Sequence, residues 1–319
     1  RQSLPGLLGG DEIAFKATAY AYLGAGNERA DAGLEYAEEM GRLARTPIQL
    51  QTAAWARANT LFWLGRFMEA RPLLENALAT ADALPFAERI RYFPSDPLVL
   101  GNGQLAWMRW FMGDGAGARA CIERAMAHAL GSRLRQDKAI AYCFAAVLCW
   151  CEGDMAGLAM NANEAWIVAD GEDYLLWKTV AGLLLAVARA TGGEAPKLLD
   201  LLAAENVMRQ AYPGGLNTGR WIGIAALLAA GQNFIALQVI ERALGEGRQQ
   251  EHQYCLMDIW RLKAQALEAL PLSRRASVRE AHAQAVRCAQ AAGARGWLDR
   301  WYPDSFAVPE CASELATSA

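Results

Sequence analysis

Apolar positions recur along this chain at three- and four-residue intervals, the spacing that lines one face of an α-helix, and long β-branched runs are absent. Glycines punctuate the pattern at Gly26, Gly65, Gly113, Gly153, Gly192 and Gly231, with Pro271 closing the series. Each break lies some forty residues from the next, except the longer step from Gly65 to Gly113. The clearest stretch starts at Thr46-Pro47, a good N-cap and first-turn pair. Ala53, Ala54, Ala58, Leu61 and Leu64 follow up to Gly65; beyond the turn, Phe67, Ala70, Leu74 and Ala77 mark a second helix, with Pro72 in its first two turns. The pattern returns as Ala106, Ala118, Ile122 and Ala125 around Gly113, and as Ala146, Leu158, Ala162 and Ala165 around Gly153. It returns again around Gly192-Gly193 with Pro196 in the first turn of the next helix, as Ala236, Ile240 and Ala243 after Gly231, and as Ala281, Ala285 and Ala289 after Pro271.

Self-similarity at this period predicts an all-α fold, a tetratricopeptide-like right-handed α-solenoid of about seven helical hairpins. Small residues four apart let helices approach closely, and no single hairpin can bury its own apolar face. The repeat domain is expected over 1–302. The surplus between Gly65 and Gly113 lies in Leu84 to Pro97, where Pro85, Pro94 and Pro97 preclude a continuous helix and Ile90, Tyr92 and Phe93 call for a packed loop. Asp96-Pro97 then starts the next helix. Residues 303–319 have no period and read as an irregular tail.

Composition sharpens this picture mainly by exclusion. A net charge of −3 and a pI near 5.8 provide no field to collect phosphates, so no direct nucleic-acid binding is expected. The basic groups Arg133, Arg135 and Lys138, and Arg274, Arg275 and Arg279, read as solvated faces at helix starts. The longest uncharged apolar run, Ala139 to Cys151, is short of the ~20 residues that span a bilayer, so no membrane partner is expected. Seven scattered cysteines point to reduced thiols in the cytoplasm. Cys149 and Cys151 diverge on a helix and none of His128, His252 and His282 is near them in sequence, so no metal is expected. Arg1 in place of an initiator methionine reads as a piece of a longer chain.

The run Thr60-Leu61-Phe62-Trp63-Leu64-Gly65-Arg66-Phe67, with Ala70-Arg71 and Leu74-Glu75, is similar to the C-terminal tetratricopeptide region of large bacterial signal-transduction ATPases. Arg91-Tyr92-Phe93 with Asp96-Pro97, Glu152-Gly153-Asp154, Asp258-Ile259-Trp260-Arg261-Leu262-Lys263 and Gly293-Ala294-Arg295 extend the resemblance over nearly the whole chain. The resemblance implies a sensing and protein-contact arm attached to a P-loop ATPase core and a winged-helix DNA-binding or nucleotide-cyclase domain. The core is absent here, since no GxxxxGK[ST] run occurs.

Candidate chemistry is sparse. Gly113-Asp114-Gly115-Ala116-Gly117-Ala118 fits a dinucleotide fingerprint by letters, but a helix precedes it where a strand is required. Glu38, Glu39, Asp170, Glu172 and Asp173 read as caps and solvated charge, and no nucleophile elbow accompanies the three histidines. No catalytic residue and no cofactor is expected. Eleven tryptophans are the informative excess. Many fall in the first helix of a hairpin, which lines the concave wall of such arrays. Trp55, Asn59, Phe62 and Trp63, then Trp107 and Trp110, Trp150 and Trp221 are expected to face a groove, with Arg109, Arg189 and Arg261 adding charge. An aromatic wall with arginines suits a peptide, a protein segment or a flat organic effector. The expected function is a non-catalytic regulatory sensor in a transcription regulator. The alternatives are a constitutive scaffold and the arm of a cyclase-linked ATPase.

Overall fold

The computed structural model describes residues 10–23, 29–172, 174–212, 215–246, 253–271 and 275–303. The expected turn at Gly26, the cluster member Arg274, and all of the tail beyond Pro303 lie outside them. Every regular element among the described residues is helical. In chain order they are α1 (Gly10–Ala21), α2 (Ala30–Leu43), α3 (Pro47–Trp63), α4 (Phe67–Asp82), the single turn α5 (Phe86–Arg89), α6 (Pro97–Met112), α7 (Gly115–Gly131) and α8 (Arg135–Glu152). There follow α9 (Met155–Gly171), α10 (Leu175–Thr191), α11 (Leu198–Ala211), α12 (Leu216–Ala229), α13 (Asn233–Glu246), α14 (Leu256–Glu268), α15 (Arg275–Ala292) and α16 (Arg295–Trp301).

Local chemistry explains the boundaries. Thr46 accepts from the Gln49 amide while the Gln49 side chain accepts from the Thr46 amide, a complete capping box with Pro47 behind it. Asp96 caps α6 ahead of Pro97. Asp114 and Asp154 cap α7 and α9 through the amides of Gly117 and Gly157. The turns at Gly65, Gly113, Gly153 and Gly231 each need a positive φ, 98° at Gly113, which side chains resist. In the fifth pair it is Gly193, not Gly192, that takes the left-handed conformation. Pro196 lies outside α11, which begins only at Leu198 behind Lys197. The glycine-rich run at Gly113 joins α6 to α7, so it is the turn within that helix pair.

Helices pack in consecutive pairs, α3 on α4, α6 on α7, α8 on α9, α10 on α11, α12 on α13 and α14 on α15. The two members of a pair bury different amounts. The first helices are covered nearly all round: α6 buries Leu98, Val99, Leu105, Ala106, Trp107, Met108 and Phe111. The second helices bury a narrow small-residue stripe, Ala118, Cys121, Ala125 and Ala129 on α7 and Ala281, Ala285, Ala289 and Ala292 on α15. First helices therefore form an inner layer, in which α3, α6, α8, α10, α12 and α14 are successive neighbours.

That layer returns on itself. α16 packs against α6, and the amides of Gln253 and Tyr254 donate to the Trp63 carbonyl at 2.7 and 3.3 Å. Tyr254 is fully buried, 5.2 Å from the Phe62 ring, 5.4 Å from Trp63, 5.9 Å from Trp107 and 5.9 Å from Trp221. At the same seam Gly296 lies against Gly113. A methyl on Gly296 would run into the Gly113 backbone and stand 2.8 Å from the Trp110 carbonyl oxygen. The open trough expected from the sequence is thus walled at its ends by the chain's own C-terminal helices.

The insertion before α6 packs inward as expected, with Tyr92 and Phe93 buried. Arg89 pairs with the buried Asp96 at 2.8 Å, and Asp137 accepts from the Asp96 amide and from Ser132 at 2.6 Å. Burial raises the Asp137 carboxyl to about 6, and the Ser132 and Asp96 donors only partly offset it.

Gly296→Ala should cost about 1–3 kcal/mol by forcing the seam apart. Gly41→Ala, in a helix where nothing stands within 4 Å of the new methyl, should be neutral or gain about 0.4–1 kcal/mol; urea denaturation of both reads the contrast. Asp137 gives a second outcome. Its folded pKa lies above the ordinary carboxylate value of about 3.9, so its contribution to stability is full below pH 4 and is lost as pH rises through 6. Acidification from pH 7 to 5 should therefore stabilise the native chain more than Asp137→Asn, in paired melts across that range.

Candidate functional site

The inner layer encloses a cavity of about 310 Å³. Tyr22 enters it from just beyond α1, and Trp55, Asn59 and Trp63 come from α3. Phe93, Pro94 and Ser95 come from the insertion and Leu100 and Trp107 from α6. Gln136, Ile140, Cys143, Phe144 and Val147 on α8 and Leu176, Trp177 and Val180 on α10 form the far side, together with Leu23, Met208, Tyr212, Thr218 and Ile222. Helical periodicity on α3 explains the first group: residues 55, 59 and 63 are four apart and share one face.

Ring pairs form much of the wall. Trp55 lies 4.7 Å from Phe93 and Trp107 lies 4.3 Å from Phe144, both tilted. Asn59 organises the polar end. Its amide nitrogen donates to the Tyr22 hydroxyl at 2.6 Å. Its oxygen accepts from the Trp63 indole at 2.9 Å and from Gln104. Tyr22 donates onward to the Ala56 carbonyl. Burial, the larger effect, pushes the Tyr22 phenol up to about 12 against the opposing bonds from Thr60 and Asn59; burial raises the Cys143 thiol as well. Among the described residues, no Asp, Glu, Lys, Arg or His side chain lines this cavity.

A second cavity of about 220 Å³ lies at the seam, lined by Trp110, Trp150, Trp221, Trp297, Trp301, Asp258, Arg261 and Arg300 among others. Its centre is Asp258, buried on α14. One carboxylate oxygen accepts from the Trp221 indole at 2.8 Å and the other from Trp297 at 3.2 Å, while Arg261 donates to both oxygens. Burial pulls the carboxyl upward, but the Arg261 charge, its hydrogen bonds and the two indole donors together hold it below the usual carboxylate value. Arg261 also sits 4.0 Å from the Trp301 ring, and Trp150 packs on Trp221 at 4.7 Å.

The residues singled out in the sequence therefore divide. Trp55, Asn59, Trp63 and Trp107 meet in the central cavity; Trp110, Trp150, Trp221 and Arg261 meet at the seam. Arg109 faces elsewhere, bonded to Glu75 of α4 at 2.9 Å and near Asp114, in a cleft with Arg124 and His128. The reason is its neighbour: Glu75 on the preceding outer helix draws the guanidinium outward. Arg189, in the last turn of α10, lines neither cavity. Tyr22, Phe144, Trp177, Asp258, Tyr254 and Trp297 went unnoticed as site residues. Only Asp258, an acid between Met257 and Ile259 in an apolar helix start, carried a readable signal. No group of three or more potential metal ligands gathers among the described residues, and none of their helices is long and apolar enough to cross a membrane.

Asp258→Asn should cost about 3–5 kcal/mol, because it leaves the buried Arg261 without its countercharge. The folded pKa of Asp258 lies below its unfolded value, so its contribution is full above about pH 4 and is lost as pH falls through the folded pKa. Stability of the native chain should thus drop more steeply below pH 4 than that of Asp258→Asn, as chemical denaturation between pH 5 and 2 would show.

No protein-family model, no curated protein and no solved structure matches the chain.

Proposed function

We propose that this chain is a non-catalytic sensor module, a tetratricopeptide-like right-handed array of about seven helical hairpins curled round a pocket for a small effector. The regular pairing of helices, the left-handed glycine turns and the alanine stripes support the repeat reading. The central cavity carries the functional one.

The pocket is partly open to solvent and has a volume of about 310 Å³. Walls such as Trp55, Phe93, Trp107, Phe144, Ile140 and Val147 give water few partners, so an apolar ligand gains by displacing it. Size selects among occupants. A volume of about 310 Å³ lies at the small end of the ~300–1,000 Å³ range of small-molecule sites. A small molecule therefore suits the cavity better than the peptide also considered from the sequence. Catalysis has little support, because the titratable groups lining it are phenols and a thiol, and burial moves Tyr22 and Cys143 away from their reactive anions.

In this reading the parent is a cytoplasmic bacterial regulator. The effector signal passes to an ATPase core and to a winged-helix or cyclase output domain, as the Phe62-Trp63-Leu64-Gly65 run and Asp96-Pro97 suggest by resemblance. The module itself meets neither nucleic acid nor membrane. Relay requires that the effector favour one arrangement of the array; an occupant touching α3, α6, α8, α10 and α12 together favours the closed one. A second reading, a constitutive protein scaffold, is favoured by the exposed face of α11, where Leu198, Leu199 and Leu202 stand in solvent.

Candidate effectors titrated to about a hundred times their Kd should stabilise the module by about 2.7 kcal/mol and change tryptophan emission. A protein partner that co-purifies irrespective of added metabolites, with no effector moving either signal, would replace the sensor by the scaffold.

A further inference from the structure

We infer that the central cavity selects an uncharged, aromatic or polycyclic molecule and rejects anions and cations of the same shape. The inference rests on the reading of that cavity as the effector site, and it names the chemistry the site accepts.

Charge is kept out of the cavity by construction. Its wall draws on α3, α6, α8, α10, α12 and the insertion, yet among the described residues none of them contributes an ionic side chain to it. Acids beside the lining and at the seam are already engaged: Asp137, next to Gln136, accepts from the Asp96 amide and from Ser132. Asp96, next to the lining Ser95, is closed off by Arg89 at 2.8 Å. Asp258 is saturated by Arg261 and two indoles in the other cavity. An anion entering the pocket would shed its water and find no countercharge, a penalty that grows steeply with burial.

Cations meet a different obstacle. Aromatic walls can hold an ammonium when several ring faces converge on one point. Here four of the lining rings are turned on each other, Trp55 against Phe93 at 4.7 Å and Trp107 against Phe144 at 4.3 Å, so those faces are spent on the wall. At the polar end Asn59 spends its oxygen on Trp63 and Gln104 and one amide hydrogen on Tyr22, so the groups it leaves are neutral. What remains is apolar surface of aromatic character, which pairs with rings of a ligand by offset stacking and edge contacts.

A matched set of probes tests the inference on the whole chain: phenylnaphthylamine, its sulfonated analogue anilinonaphthalene sulfonate, and a naphthyl trimethylammonium competitor. The neutral probe should bind saturably and take excitation energy from the indoles, while both ions bind at least about a hundredfold more weakly. The double substitution Val180→Phe with Leu176→Phe fills the cavity from α10. It should abolish neutral binding without lowering the melting temperature; if it misfolds, Leu176→Phe alone serves. Should either ion bind as tightly as the neutral probe and be lost in the filled variant, the pocket stands but its neutral selectivity is overturned. Should the filled variant leave neutral binding intact, or should no probe bind, the effector pocket and the inference fall together.

Discussion

Closure of the inner layer by Tyr254 is the contact on which the remainder of the structure depends. Its ring fills the axis between Phe62, Trp63, Trp107 and Trp221, its amide bonds the end of α3, and its hydroxyl donates to Thr218 on α12. One residue just ahead of α14 thus holds α3, α6 and α12 together. An array whose ends were free would leave these aromatic faces in water, and burial of each large ring is worth a few kcal/mol. Closure brings the ends of the inner layer together, and the same layer lines the central pocket.

Tryptophan serves two purposes on the two sides of that closure, and the indole N–H separates them. Where an acceptor lies within reach, the ring is structural: Trp221 and Trp297 are pinned to Asp258, and Trp107 donates to the Phe144 carbonyl at 3.0 Å. Trp107 still offers its flank to the cavity, so one ring can brace the wall and line it. Trp63 is half-buried and anchored to Asn59, and Trp301 is exposed against Arg261. Charge is distributed in the same spirit. The seam holds a buried carboxylate with its guanidinium, the insertion holds Arg89 with Asp96, and among the described residues no ionic side chain lines the central cavity.

Much of the fold was legible in the chain. The glycine breaks, the caps at Thr46 and Asp96, the alanine stripes and the proline-bounded insertion all act over a few residues, and each appears where local chemistry places it. The departures are local too: Pro196 stays outside α11 because the helix starts behind Lys197, and Gly193 takes the strained position beside Gly192. The candidate site was legible in part. Spacing of four put Trp55, Asn59 and Trp63 on one face of α3, but it could not say whether Trp110 and Trp150 shared their cavity. Nor could it show that Glu75 would draw Arg109 outward.

By itself the sequence determined that the chain is helical, where its helices begin and end, and which face of each is apolar, because propensity, capping and periodicity are set by near neighbours. The tertiary structure alone decided that the array closes, that its indoles divide between two cavities, and that one cavity excludes ionic side chains while the other is built on Asp258. Those outcomes depend on which helices meet across some two hundred residues of chain, from Trp63 to Tyr254 and from Gly113 to Gly296. Accumulated helix-to-helix geometry sets such meetings, and no window of sequence contains it.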